Sequence, residues 1–134
     1  MKKTVCVDLD GVLAFYNGWK GVDHIGDPRP GAVEFTRALS LIADVVIFTT
    51  RCNEEMQRPE KAHLLVGRVK AWLDLHGFQY ADIYAGQGKP IAVAYIDDRA
   101  IAVPENPVWD KTTTFDVLVK VQKFIGRKSV STEG

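Results

Sequence analysis

The residues that could do chemistry in this 134-residue chain gather where apolar, strand-like runs stop. Val5-Cys6-Val7 leads into Asp8 and Asp10, and Gly11 turns the chain. Val45-Val46-Ile47-Phe48 ends in Thr49-Thr50-Arg51. Gly88-Lys89-Pro90 places a cation just before the run Ile91 to Ile96, which ends in Asp97-Asp98 and then Arg99. Two acids two positions apart at an open strand end offer hard oxygen donors that suit Mg²⁺. With a cation held there, one carboxylate can attack an electrophile while the other handles a proton. Taken alone, the first run also reads as a strand ending in a solvated Asp-Gly turn. Taken together, four carboxylates, a hydroxyl pair, Lys89 and Arg51 at C-terminal strand ends describe a phosphate-plus-metal site, because that edge of an open parallel sheet is where ligands bind.

These side chains need a scaffold, and the hydrophobic pattern supplies one. Strands are expected at Thr4–Asp8, Asp44–Phe48, Ala81–Tyr84 and Val93–Ile96, with Ile101–Val103 as a candidate fifth. Pro30 suits the first position of a helix whose apolar face is Phe35, Ala38, Leu39 and Ile42. A longer helix from Pro59 to His76 buries Leu65, Val69, Trp72 and Leu73 and stops at Gly77. A last helix begins near Thr113 or Thr114 and turns Val117, Leu118, Val121, Phe124 and Ile125 inward. Leu13 to Arg29 reads as a loop or short hairpin over the site, carrying Phe15, Tyr16 and Trp19. Strands that alternate with helices predict an α/β fold with a parallel sheet between helical layers. One domain spans 1–126, followed by a polar tail, 127–134.

Asp8-Leu9-Asp10-Gly11-Val12, Thr49-Thr50-Arg51, Lys89-Pro90 and Ile96-Asp97-Asp98 together resemble, in that order, the motifs of the haloacid-dehalogenase-like (HAD) hydrolase superfamily. The resemblance extends from Thr4 to about Ile125. It implies a three-layer Rossmann-like sandwich around a mainly parallel five-stranded sheet. It makes Asp8 the nucleophile of an aspartyl-phosphate mechanism and Asp10 the general acid and base. A carboxylate at the Asp10 position marks phosphatases and phosphomutases within that superfamily. Thr49 or Thr50, with Thr49 preferred, would bond the phosphoryl oxygens. Arg51 would fork onto phosphate, unless it is a surface charge at a helix start, and Lys89 would neutralise phosphate and Asp8. Mg²⁺ would be held by Asp8, Asp10 (through its backbone carbonyl) and the Asp97/Asp98 pair, with Asp98 the direct ligand.

Relatives with a cap domain insert it after the first motif or after the third strand. Here those places hold only Leu13–Arg29 and Ala85–Gly88, too short for a domain. The expectation is a capless phosphomonoester hydrolase with an open site, shielded by a second subunit or by a bulky substrate. The substrate would be a small phosphate or a macromolecular end, including nucleotides and nucleic-acid ends.

Composition bounds the alternatives. Hydrophobic residues at 46% and charged residues at 25% are ordinary globular values, and the zero formal net charge gives no field that recruits nucleic acid or membrane indiscriminately. No apolar stretch reaches the length of a membrane span. Lys2 and Lys3 precede an apolar run, but Asp8 and Asp10 interrupt it, which argues against a signal peptide. Cys6 and Cys52 form no disulfide framework and no Cys/His metal pattern, so a reducing cytoplasm fits. Cys52, beside Arg51, is a rival nucleophile without a basic partner in its own segment. A phosphoaccepting signalling domain is disfavoured by motif order, since its acceptor aspartate would follow the third strand. A catalytically silent phosphate-binding domain is a further alternative, though every residue type needed for catalysis is present.

Overall fold

The computed structural model describes residues 2–52, 59–86 and 88–127. Its elements run β1 (Thr4–Val7), α1 (Ala32–Ser40), β2 (Asp44–Phe48), α2 (Pro59–Leu75), β3 (Asp82–Tyr84), β4 (Ala94–Ile96) and α3 (Lys111–Ile125), with a short 3₁₀ turn at Thr50–Cys52. The strands form one parallel sheet in the order β3-β2-β1-β4. The chain steps from β1 to β2 to β3 in one direction, then returns to place β4 on the other side of β1. The order of the sheet therefore reverses between β1 and β4, and this fixes the location of the cleft described below.

Paired residues in a parallel ladder share a face. Val5 and Val7 stand beside Val45 and Ile47, and Ile47 stands beside Ile83. All five are buried and belong to one apolar cluster with Leu65, Val69 and Leu73 of α2 and with Ala32 of α1. The three α2 residues follow the helical period and are completely buried. The opposite face carries a row of aromatic side chains. Phe48 meets Tyr84 and Tyr95 edge-on, each with ring centroids 6.5 Å apart.

The sequence expectations are met in part. The parallel α/β sheet flanked by helices is present and is compatible with a Rossmann-like architecture, but among the described residues the sheet has four strands, not five. Ile101–Val103 runs as coil. Pro30 is not the first helical residue of α1. Gly31, at φ 80°, precedes the helix, and the buried positions are Ala32 and Thr36, whereas Phe35 and Ile42 face solvent. α3 starts at Lys111 because Asp110 caps it, accepting a hydrogen bond from the Thr113 amide at 2.8 Å. Its apolar stripe is not sealed: no residue of α3 is fully buried, and Phe115, Leu118 and Ile125 are exposed. Apart from Arg127, the expected tail lies outside the described residues.

The 12–31 segment holds no helix or strand, only isolated bridges of Ala14 with Asp10 and with Pro28. Phe15 donates its amide to the Asp27 carbonyl and Arg29 donates to that of Leu13, both at 2.8 Å, so the segment folds back on itself as a hairpin-like loop. Gly26 makes this close approach feasible, since a Cβ there would run into the Phe15 carbonyl. Among the described residues, no helix is long and apolar enough to cross a membrane.

Candidate active site

Asp8 directly follows β1 and Asp97 directly follows β4. Because Val7 pairs with Ile96, the two acids leave adjacent strands at the same level, and the Asp8 amide donates to the Ile96 carbonyl at 3.0 Å. Asp98 completes a triad in which each residue offers a carboxylate oxygen, all within 4.8 Å of one another. Gly11, at φ +85°, allows this convergence: a Cβ there would stand 2.5 Å from Asp98 Oδ2. The donor set is oxygen only and anionic, which fits a hard divalent cation. Asp10 lies outside this triad.

The Asp8 carboxyl is pushed up to about 7. Burial is the main cause, and the charges of Asp97, Asp98 and Asp10 add to it, while a hydrogen bond from the Leu9 amide to Oδ1 (2.8 Å) opposes it. Asp97 and Asp98 are exposed, and Asp97 Oδ1 accepts from the Arg99 amide at 2.8 Å. Arg127, just past α3, reaches back to the Asp98 carbonyl at 3.1 Å.

Asp8 and Asp10 share a cleft of about 480 Å³ with Thr49, Thr50, Arg51, Asp97 and Asp98, and Tyr16, Trp19, Phe48 and Arg99 complete its walls. Thr49 is buried and its hydroxyl accepts from the Arg51 amide at 3.2 Å, which leaves the O–H proton to be donated elsewhere; Thr50 is exposed. Arg51 is neither a surface charge nor open to solvent. Only 4% exposed, it clasps Asp10 through Nε–Oδ2 at 2.7 Å and Nη2–Oδ1 at 3.0 Å. Its Nη2 also donates to the His24 carbonyl at 3.0 Å, and its Cζ lies 4.6 Å from the centroid of the Trp19 ring.

Lys89 is not a wall of this cleft. It is exposed, with Nζ 4.1 Å from the centroid of the Tyr95 ring. Trp109 lies away from the cleft and lines a separate shallow groove with Phe115 and Leu118. Cys52 is completely buried and its thiol is pushed up to about 11, chiefly by burial, which removes the thiolate a cysteine nucleophile requires. Sequence reasoning missed the Asp10–Arg51 fork, the His24 carbonyl and the stacking of Trp19, because contacts so far apart in sequence leave no local pattern. It did single out Tyr16 and Trp19 as parts of a loop over the site, and both wall the cleft, whereas Phe48 read only as the end of a strand. Comparison with protein-family models, with curated proteins and with solved structures finds no match to this chain.

Proposed function

We propose that this protein is a divalent-cation-dependent phosphomonoesterase of the HAD-like, capless type. The observation that carries the reading is the meeting of the Asp8, Asp97 and Asp98 carboxylates at the point where the strand order reverses, with Asp10 and Thr49 on the same cleft. Three converging acids repel one another, and a cation is the simplest partner that would offset this. Asp8, Asp97 and Asp98 would hold Mg²⁺, which would lower the repulsion between an anionic nucleophile and an anionic substrate.

An Asp8 carboxylate oxygen attacks phosphorus and the bond from phosphorus to the leaving oxygen breaks, while Asp10 gives that oxygen a proton. Water then attacks phosphorus and gives up a proton to Asp10, the bond from the Asp8 oxygen to phosphorus breaks, and inorganic phosphate leaves with both acids restored. The hydroxyl of Thr49, or else that of Thr50, would hold a phosphoryl oxygen; Thr49 is preferred because its hydroxyl accepts from the Arg51 amide and keeps its proton to donate. Lys89 could join them only by leaving the Tyr95 ring.

The test is hydrolysis of an aryl phosphate with Mg²⁺ and with excess chelator. Activity is expected only with the cation, and Asp8→Asn is expected to abolish it in a protein that stays folded, since little volume changes. Full activity in chelator, or an active Asp8→Asn with an inactive Cys52→Ser, would sink the reading. An aspartyl-phosphate that forms and does not turn over would instead favour a phosphoaccepting signalling domain.

A further inference from the structure

We propose that Arg51 is the positioning residue for Asp10 and the clasp that holds the 13–29 loop beside it, a role that rests on reading Asp10 as the acid and base. An ionised carboxylate has about four lone-pair sites, two on each oxygen. The Arg51 fork takes one on Oδ2 and one on Oδ1, so the remaining pair is fixed in direction. Asp10 is a wall of the cleft, and its side chain is 17% exposed. A proton taken or given by Asp10 therefore travels along a line that Arg51 sets. The planar guanidinium sets this line through two bonds of fixed geometry while the second Nη2 hydrogen reaches a third acceptor; a lysine has three donors but no rigid fork.

The third acceptor explains the clasp. The His24 carbonyl and the Trp19 ring both belong to the loop, and both engage the same guanidinium, which is itself buried. Ala14 joins the start of the loop to Asp10 through the backbone; among the described residues, Arg51 is what joins the Trp19–His24 part of the loop to the Asp10 carboxylate. The two Nη1 hydrogens find no acceptor within the described residues. An unmatched buried donor is costly, so the guanidinium is held here by its other contacts and not because the site satisfies it fully.

Two readouts test the proposal: steady-state kinetics on an aryl phosphate with Mg²⁺, and hydrogen exchange of the Phe15 and Arg29 amides without substrate. Arg51→Gln is expected to lower kcat by about 100-fold or more with KM within about threefold, the pattern of an interaction that matters in the transition state. It should also speed exchange at both amides. Asp10→Asn should loosen the same amides, and the double variant should loosen them no further, because the two residues act as one unit. A KM raised tenfold or more with kcat retained would make Arg51 a phosphate clamp and overturn the positioning role. Unchanged exchange in Arg51→Gln would overturn the clasp. Should Arg51→Gln fail to fold, Trp19→Leu must loosen the loop amides in the same direction, and no change there is equally fatal. A wild-type protein without phosphatase activity would refute the acid-base reading and the positioning role together, while exchange would still decide the clasp.

Discussion

Asp8 is placed against its own interest. Burial and three neighbouring acids hold its carboxyl at about 7, well above the ordinary value of about 3.9. Between those two values the folded protein binds a proton at Asp8 that the unfolded chain does not. Stability of the cation-free protein must then fall as pH rises through that window, and the contribution is wholly lost above about pH 7. Thermal unfolding in chelator from pH 4 to pH 8 should show this decline. Asp98→Asn should make it shallower without removing it, because burial and not repulsion is the larger cause. Mg²⁺ should raise the unfolding temperature more at pH 8 than at pH 5, since only an ionised Asp8 is a ligand. An equal effect at both pH values would mean that the cation, if it binds, does not bind at Asp8.

The elements that position these acids were legible wherever apolar residues alone mark the core. β2 matches its expected limits, and Leu65, Val69 and Leu73 are buried as their spacing requires. α1 was misread because its inward stripe includes Thr36, a polar residue that is tolerated in the core by donating its hydroxyl to the Val33 carbonyl at 3.0 Å. A pattern of hydrophobicity cannot see a satisfied hydroxyl, so it selects the apolar Phe35 and Ile42 in its place. α3 shows the reverse error: its stripe is real, yet it is only partly covered. α2 supplies the quantitative check. Leu65→Ala should cost about 3 kcal/mol in urea unfolding, as expected for a large core deletion. Leu64→Ala, one position away and half exposed, should stay within about 0.5 kcal/mol. Similar values for the two would mean that the helix does not face the sheet through Leu65.

At the scale of the whole molecule, the acids were readable one by one, but their grouping depends on topology. Only the placement of β4 beside β1 brings Asp97 and Asp98 to Asp8, and only the fold-back of the loop brings Trp19 and the His24 carbonyl to Arg51. Among the described residues, the same topology leaves the cleft open. Its cover is the hairpin-like loop, where Tyr16 and Trp19 are half-buried and Phe15 is exposed, while Asp97, Asp98 and Thr50 face solvent on the other side. An enzyme that closes a domain over its substrate gains by excluding water and loses access for large substrates. A cleft bounded by a short loop does neither. Size should therefore not limit what reaches Asp8: kcat/KM for a phosphorylated oligonucleotide end should lie within about tenfold of that for an aryl phosphate, about 1.4 kcal/mol of barrier. A loss of a thousandfold on the oligonucleotide, with the aryl phosphate still hydrolysed, would show that the site is closed in solution by a second subunit or by the loop itself.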